Sequence, residues 1–247
     1  MILRRVIRHV RNQEWTAILI DFLIVVVGVY LGIELGNWND ERDARSDYQG
    51  ALQRLAVEID TNLATLDSVE PAVLQSLRRV RNAFEVLQSC TESESNRQAV
   101  NTGLAEIRGT YGLHLRSTAL QELTTSPRLL AQQTASDRKR FTDMLFYFDL
   151  MQLDADFSEF HPLEGRVQDN PIIRIGPSEE IVQEYFGVDY SGSIRPLLLA
   201  VPIDEACQNN QLIKSFFTWE NWQDNFPIYI KQIRKELVAT KAHLAER

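Results

Sequence analysis

An aspartate and three glycines in one apolar stretch are the residues of this chain whose types and spacing point most directly to chemistry. The glycines are Gly28, Gly32 and Gly36, four residues apart. At about 100° per residue, Asp21 falls on the same side of a helix as they do. In lipid, small residues let two helix backbones approach closely, and a carboxylate beside them can share a proton or accept a hydrogen bond across the contact. The pattern therefore predicts association within a membrane, with a second copy of the chain or with another membrane protein.

Both parts of that prediction have a plainer alternative. Glycine is common in membrane helices, so this spacing also occurs by chance. Asp21 lies six residues after Trp15, about 9 Å along a helix axis, where its carboxylate can simply reach the membrane surface. Glu34 falls on a different face near the other border, and we expect it to reach the lipid headgroups. The alignment of Asp21 with the glycines favours association over chance.

The chain has two cysteines, Cys90 and Cys207, which form the second candidate for chemistry. An even number of cysteines in an oxidising compartment permits one disulfide. Two buried thiols are the alternative, because the sequence does not show that the two side chains meet. Both interpretations stay open.

No local motif of a common enzyme is present in the sequence. The chain lacks H-E-x-x-H, C-x-x-C, G-x-S-x-G and a phosphate-binding glycine loop, and its four histidines are far apart. Asp149, Asp154, Asp156 and Glu159 share one predicted helix, but such residues are more typical of a solvated face than of a metal site. We therefore expect a protein that is not an enzyme, with no catalytic residue, metal or cofactor.

The residues that position the glycines and the aspartate form the most apolar segment of the chain. Residues 16–35 carry only two charged side chains. As a helix, these residues span about 30 Å, the thickness of the hydrocarbon core of a bilayer. Trp15 and Trp38 flank the segment, where tryptophan side chains settle at the level of the headgroups. The segment predicts a transmembrane helix over residues 16–36, with the two tryptophans as interface anchors.

Two other interpretations of this segment are weaker. A cleaved secretory signal needs small residues before its cleavage site, and residues 30–35 offer no such pair. A buried core helix of a soluble protein accounts for the uncharged run over residues 22–33, but it does not account for a tryptophan at each border or for the basic flank.

The distribution of arginines sets the predicted orientation. Four arginines precede the segment and fewer lie close behind it: Arg4, Arg5, Arg8 and Arg11 against Arg42 and Arg45, then Arg54. The positive-inside rule places residues 1–15 in the cytoplasm as a basic amphipathic segment on the lipid surface. Residues 37–247 then form an extracytoplasmic domain, in the periplasm if the membrane is a bacterial inner membrane. The net charge of −8 argues against a nucleic-acid partner.

Helical periodicity dominates the rest of the chain, which predicts an all-α fold in which the span continues into a helical bundle. Apolar residues at three- and four-residue steps extend the first helix to about Val69, and Pro71 opens a second. Five further helices are predicted. The first contains Leu104 to Leu115, the second spans 117–123, the third begins at Asp137, the fourth spans 204–222 and the fifth begins at Pro227. Residues 161–202 hold five of the eight prolines and are predicted to be irregular, with one short helix over 178–186 that carries Glu179 and Glu180 in its first turn.

The N-terminal segment resembles the signature of an uncharacterised family of bacterial single-span membrane proteins. The shared features are a basic R-R-V-I-x-H start, a tryptophan, a span that begins with D-F and contains V-V-V-G-V, and a closing N-W-N. Here they are Arg4 to Ile7, His9, Trp15, Asp21 with Phe22, Val25 to Val29, and Asn37 to Asn39. The match covers about the first 42 residues. The family carries a domain of unknown function, so the resemblance implies location and architecture and brings no activity, cofactor or site residue.

Three classes of function are compatible with this organisation. The first, which the absence of catalytic motifs favours, is a membrane-anchored interaction or scaffold module that self-associates through its span. The alternative is a sensory or ligand-binding extracytoplasmic domain; with only about 15 residues before the span, it would need a partner membrane protein to pass on a signal. The third is an enzyme with an unfamiliar site near residues 161–202.

Overall fold

One helix of 75 residues organises the chain. A computed structural model describes residues 15–160, 167–185 and 188–246, and in it helix α1 (Trp15–Ser89) runs from the apolar segment into the body without interruption. The same helix is therefore both the candidate span and the longest element of the bundle.

Helices make up most of the described chain, which confirms the predicted helical class. After α1 come α2 (Glu94–Glu106), α3 (Thr118–Thr125), α4 (Pro127–Leu130), α5 (Ala135–Phe160), α6 (Ile203–Ala206), α7 (Asn210–Gln223) and α8 (Phe226–Ala245). A 3₁₀ turn (Val167–Asp169) and four strands lie between α5 and α6: β1 (Ile173–Ile175), β2 (Glu179–Tyr185), β3 (Val188–Ile194) and β4 (Leu197–Leu199). β1 pairs with β4 and β2 with β3, both antiparallel.

Pro71 lies inside α1, so the predicted start of a second helix at this residue is wrong. Proline removes the N–H that would bond to the carbonyl of Asp67 and usually kinks a helix. Leu66 and Val73 on either side of the proline are fully buried, and Arg234 of α8 pairs with Asp67 at 2.5 Å. Packing on both sides of the proline outweighs the missing hydrogen bond.

Residues 178–186 do not form the predicted short helix, because residues 179–185 are the β2 strand. Glu179 and Glu180 therefore lie in a strand and pair with Ile194 and Ser193 of β3. The backbone N–H and C=O groups of β2 form hydrogen bonds with those of the neighbouring strand β3. In a helix the same groups would bond within the helix.

The third predicted helix ends earlier than expected, because α2 stops at Glu106 and does not reach Leu115. Side chains from other parts of the chain form hydrogen bonds with the backbone groups that follow α2. The Trp219 indole donates to the carbonyl of Gly109 at 2.6 Å, and the Asn62 side chain exchanges two hydrogen bonds with the backbone of Arg116, at 2.7 and 2.9 Å. Glycines at positions 109 and 112 weaken the helix in the same stretch.

The core lies between α1 and the later helices. α8 runs antiparallel to α1, since Lys241 pairs with Asp60 at 2.6 Å and Arg234 pairs with Asp67 at 2.5 Å. Trp219 of α7 is fully buried in this core. α6 and α7 replace the single helix predicted over residues 204–222, and the side chain of Asn209 between them caps α7.

Gly103 of α2 provides a test of this packing. A Cβ at Gly103 would lie 2.4 Å from the Cβ of Ala83 in α1 and 2.7 Å from the ring of Phe216 in α7. Since real side chains do not approach so closely, we expect Gly103→Ala to lower the free energy of unfolding by about 1–3 kcal/mol, measured by chemical denaturation of the full chain in mild detergent. Gly109→Ala is the matched control, because nothing lies within 4 Å of a Cβ there. Equal losses in the two variants would contradict the close contact.

Candidate membrane-association site

The N-terminal part of α1, up to residue 43, projects away from the bundle. Every residue from 22 to 43 is exposed, and the first buried residues of α1 are Ala44 and Tyr48. The exposed fraction of the large apolar side chains in this part ranges from 44% for Val26 to 65% for Leu35. Among the described residues, α1 is the one helix long and apolar enough to cross a membrane.

The three glycines of the candidate association face are open to a neighbour. No atom of residues 15–160, 167–185 or 188–246 lies within 4 Å of a Cβ placed on Gly28, Gly32 or Gly36. Asp21 lies about two turns earlier in the same helix and is partly exposed. A second helix could therefore reach all four residues without displacing any part of the bundle.

The glycines and the bundle occupy opposite faces of α1. Gly28 and Leu55 are 27 residues apart, as are Gly32 and Ile59, and at about 100° per residue this separation places the two members of each pair roughly 180° apart. Leu55 and Ile59 are fully buried against the bundle. Two copies of α1 could thus meet along the glycines with both bundles on the outside.

The C-terminal border of the apolar segment carries a small aromatic and charged group, which we name the border collar: Trp38, Glu41, Arg42 and Arg45. The Arg42 guanidinium lies over the Trp38 ring, 6.0 Å from its centroid, and Arg45 pairs with Glu41 at 3.2 Å. Trp38 is 61% exposed. An exposed indole next to cations is the arrangement expected at a lipid headgroup layer. Trp15, the predicted inner anchor, begins α1, and its side chain lies outside the described side chains.

The distal end of α1 is joined to the α6–α7 connection by a disulfide between Cys90 and Cys207, residues 117 positions apart with their Cα atoms 5.5 Å apart. Cys90 directly follows α1 with a φ of 51°, the left-handed conformation usual for the residue that ends a helix. Beside it, the carboxylate of Glu92 accepts from the backbone N–H of Ile203 at 2.5 Å and pairs with Arg97 at 3.0 Å. The Ile203 hydrogen bond, opposed by desolvation and aided by Arg97, lowers the pKa of Glu92.

A buried polar cluster that the sequence did not reveal joins three helices. Asp137, at the start of α5, is 1% exposed. Its carboxylate accepts from the hydroxyl of Tyr48 in α1 at 3.2 Å and lies 2.8 Å from Nε2 of His243 in α8. Asp137 and Thr134 also exchange hydrogen bonds in a capping arrangement at the α5 N-terminus. The partners lie 89 and 106 residues from Asp137, so no local signal marks the cluster.

A surface cleft of about 260 Å³ lies beside α3. Its carboxylates are already engaged. Both oxygens of Glu122 accept from the Nη2 group of Arg54 at 2.8 Å, and Glu58 accepts from the backbone N–H groups of Ala119 and Leu120 at 2.8 and 3.2 Å. Glu58 thereby caps the N-terminus of α3. The geometry gives the cleft a structural role.

Across residues 15–160, 167–185 and 188–246, no three His, Cys, Asp or Glu side chains are grouped to hold a metal ion. His161 lies outside the described residues. His114 lies in the connection between α2 and α3, whereas His243 lies in α8 and is engaged with Asp137.

No family model, curated protein or solved structure matches this chain. The resemblance of the N-terminal segment to a family of single-span membrane proteins therefore stays a prediction. The geometry of the site is the basis for its function. An exposed apolar helix presents open glycines on the face turned away from a disulfide-linked bundle.

Proposed function

We propose that this chain is a single-pass protein of a bacterial inner membrane that acts as an anchored interaction module and self-associates through its span. Its N-terminus lies in the cytoplasm and its bundle in the periplasm. The exposed apolar N-terminal part of α1 and the border collar support the membrane location. The disulfide supports a bundle in an oxidising compartment, and the excess of arginines before the span supports the orientation.

The observation that carries the proposed self-association is the division of α1 into two opposite faces. The bundle covers the face of Leu55 and Ile59, whereas no described residue covers the face of Gly28 and Gly32. Two parallel copies in one membrane can therefore pair along the glycines without a clash between their bundles. Close backbone approach then gives the van der Waals contact that drives association in lipid.

Asp21 adds a polar element to the same face. A carboxylate in the apolar segment is costly when isolated, and a second copy brings a second Asp21 to the same depth. One proton shared by the pair removes the repulsion between the two carboxylates and leaves a hydrogen bond across the contact. Asp21 thus favours the paired state over the single span.

We expect Gly32→Ile to reduce self-association severalfold in the membrane, because a branched side chain at this position would prevent the two helix backbones from approaching closely. Asp21→Ala should weaken association through loss of the polar contact. Cross-linking of full-length chains in native membranes, or a membrane two-hybrid assay, measures both effects. The open space around Gly32 means that the single chain tolerates the isoleucine.

Leu23→Ile is the matched control for this experiment. Leu23 lies nine residues before Gly32, roughly on the opposite face of the helix, and is 50% exposed. The control should associate as the unchanged chain does. Association that is unaffected in both Gly32→Ile and Asp21→Ala would remove the proposal of a paired span.

A further inference from the structure

β2 and β3 form a two-stranded antiparallel ribbon that stands apart from the core. The ladder runs from Glu179 opposite Ile194 to Tyr185 opposite Val188. No described side chain of either strand belongs to the core or packs against it. A two-stranded ribbon alone in water is at best marginally stable, and a third strand or a covering element makes such a ribbon stable. The ribbon is therefore a candidate for completion by another polypeptide.

The two faces of the ribbon differ in character. Residues directly opposite each other in the ladder share a face, and successive residues along a strand alternate between faces. Beyond Glu179 at its base, one face carries Ile181, Tyr190 and Ile194, and we name it the apolar face. Tyr190 and Ile194 are 51% and 37% exposed. The opposite face carries Glu180 and Asp189, and we name it the acidic face.

The ribbon is acidic, and its described charges have no partner. Residues 179–194 contain three glutamates and one aspartate, with no lysine or arginine. Glu179, Glu180 and Asp189 are exposed, and in the described part of the chain no cation lies within ion-pair distance of them. Arg174 and Arg195 flank the ribbon, so four negative and two positive charges leave a net charge of −2 when both are counted with it.

Both outer edges of the ribbon are open. Among the described strands, β2 and β3 pair with each other and with no third strand. Each strand therefore has backbone N–H and C=O groups on its outer side that no other strand pairs with. Such an edge is a template for an added strand, which gains affinity from main-chain hydrogen bonds and specificity from alternate side chains.

The membrane surface is too far away to cover the ribbon. At the base of the ribbon, the carbonyl of Arg195 accepts from Arg108 at 3.2 Å, and the nearby Glu106 bonds to Ser76 of α1. Ser76 lies 38 residues after Trp38, about 57 Å along the helix. A strand of seven residues extends only about 24 Å. Lipid is therefore excluded as the occupant.

Charge decides between the remaining occupants. A second ribbon paired edge to edge, with the apolar faces on one side, would set the two acidic faces side by side, and like charges on neighbouring strands are destabilising. An extended segment in which apolar residues alternate with Lys or Arg fits both faces. Its apolar side chains continue the apolar face, and its cations lie beside Glu180 or Asp189. The alternation of the two faces selects a strand over a helix.

We infer that the β2–β3 ribbon binds an extended segment of a partner protein by strand addition, and that this segment alternates apolar and basic residues. The inference rests on the proposed role of the chain as an interaction module and states the kind of partner that its body takes. Strand addition at the ribbon is physically separate from pairing through the span, so each can fail without the other.

The test uses the full chain in nanodiscs of zwitterionic lipid, with empty nanodiscs as background. The probes are labelled peptides of about nine residues, long enough to pair with a seven-residue strand. The first alternates valine with lysine, and the second alternates valine with glutamate. The third has the composition of the first in scrambled order, and the fourth is the first with methylated backbone nitrogens. Fluorescence anisotropy gives Kd for each, and the valine–lysine peptide should bind most tightly.

The decisive variant is Glu180→Lys with Asp189→Lys, which reverses two charges on the acidic face. It should raise Kd for the valine–lysine peptide by about tenfold and lower Kd for the valine–glutamate peptide, because the cross-strand charge pairs change sign. Glu85→Lys with Glu205→Lys is the matched control. Both glutamates are exposed and lie outside the ribbon, and the control changes the net charge by the same amount. It should leave both Kd values unchanged.

Three results would overturn the inference. The first is equal binding of the scrambled peptide, which would make the attraction one of charge alone. The second is equal binding of the methylated peptide, which would exclude pairing between backbones. The third is a Kd for the valine–lysine peptide that charge reversal at Glu180 and Asp189 leaves unchanged. Cross-linking through the span is measured separately, so a failed peptide test leaves the paired span standing.

Discussion

Replacing both Cys90 and Cys207 by serine should lower the free energy of unfolding by about 3–5 kcal/mol. The disulfide joins residues 117 positions apart, and a cross-link over so long a stretch removes much of the conformational freedom of the unfolded chain. It also ties the distal end of α1 to α6 and α7. Denaturant titration of the full chain in mild detergent, followed by far-ultraviolet circular dichroism, measures the change.

Reduction of the unchanged chain is the companion measurement. With a reductant present, its unfolding midpoint should fall to that of the double-serine variant, while the midpoint of the variant should not respond to the reductant. If oxidised chain and variant unfold at the same denaturant concentration, Cys90 and Cys207 are not joined, and the support that the disulfide lends to a periplasmic bundle is lost.

The sequence predicted best what depends on local pattern. The apolar run and its tryptophan borders predicted a transmembrane helix over residues 16–36, and α1 has one apolar segment there that is long enough to cross a membrane. Helix starts with local signals also came close: α5 begins at Ala135 where Asp137 was expected, and α8 begins at Phe226, one residue before Pro227. Capping and first-turn proline act within one turn, so a single sequence contains them.

The sequence predicted poorly what depends on distant partners. Pro71 by itself is a signal for the start of a helix, but contacts with α8 keep α1 helical on both sides of this proline. Glu179 and Glu180 suit the first turn of a helix, but pairing with β3 places them in a strand. In both places a tertiary contact outweighs the local preference.

The candidate sites divide in the same way. The pattern of Gly28, Gly32 and Gly36 is local, so it could be read directly. The exposed side of α5 has no such local signal, because the exposed Phe146 and Leu153 cannot be separated from the buried Phe148 until the packing of α5 is known. A helix with apolar residues on two faces gives no single periodic stripe, and the orientation of the helix decides which face is free.

Asp137→Ala should lower the free energy of unfolding by about 2–4 kcal/mol, the combined cost of leaving buried hydrogen-bond partners unsatisfied and of losing a helix cap. Asp137 is 1% exposed, and its carboxylate holds Tyr48 of α1 and His243 of α8 while it caps α5. The variant leaves the Tyr48 hydroxyl, in a residue 2% exposed, without this acceptor. Chemical denaturation of the full chain in mild detergent provides the measurement.

Asp143→Ala in the same helix is the matched control. Its carboxylate forms an exposed pair with Lys139 four residues away, which contributes less than about 0.5 kcal/mol. Asp137→Asn should fall between the two, because the amide keeps one oxygen that can accept the backbone N–H of Thr134. If Asp137→Ala were no more harmful than Asp143→Ala, the cluster would not hold the end of the bundle nearest the span. The attachment of α1 to the body would then rest on its apolar contacts, on its other polar contacts such as the pair of Asp60 with Lys241, and on the distal disulfide.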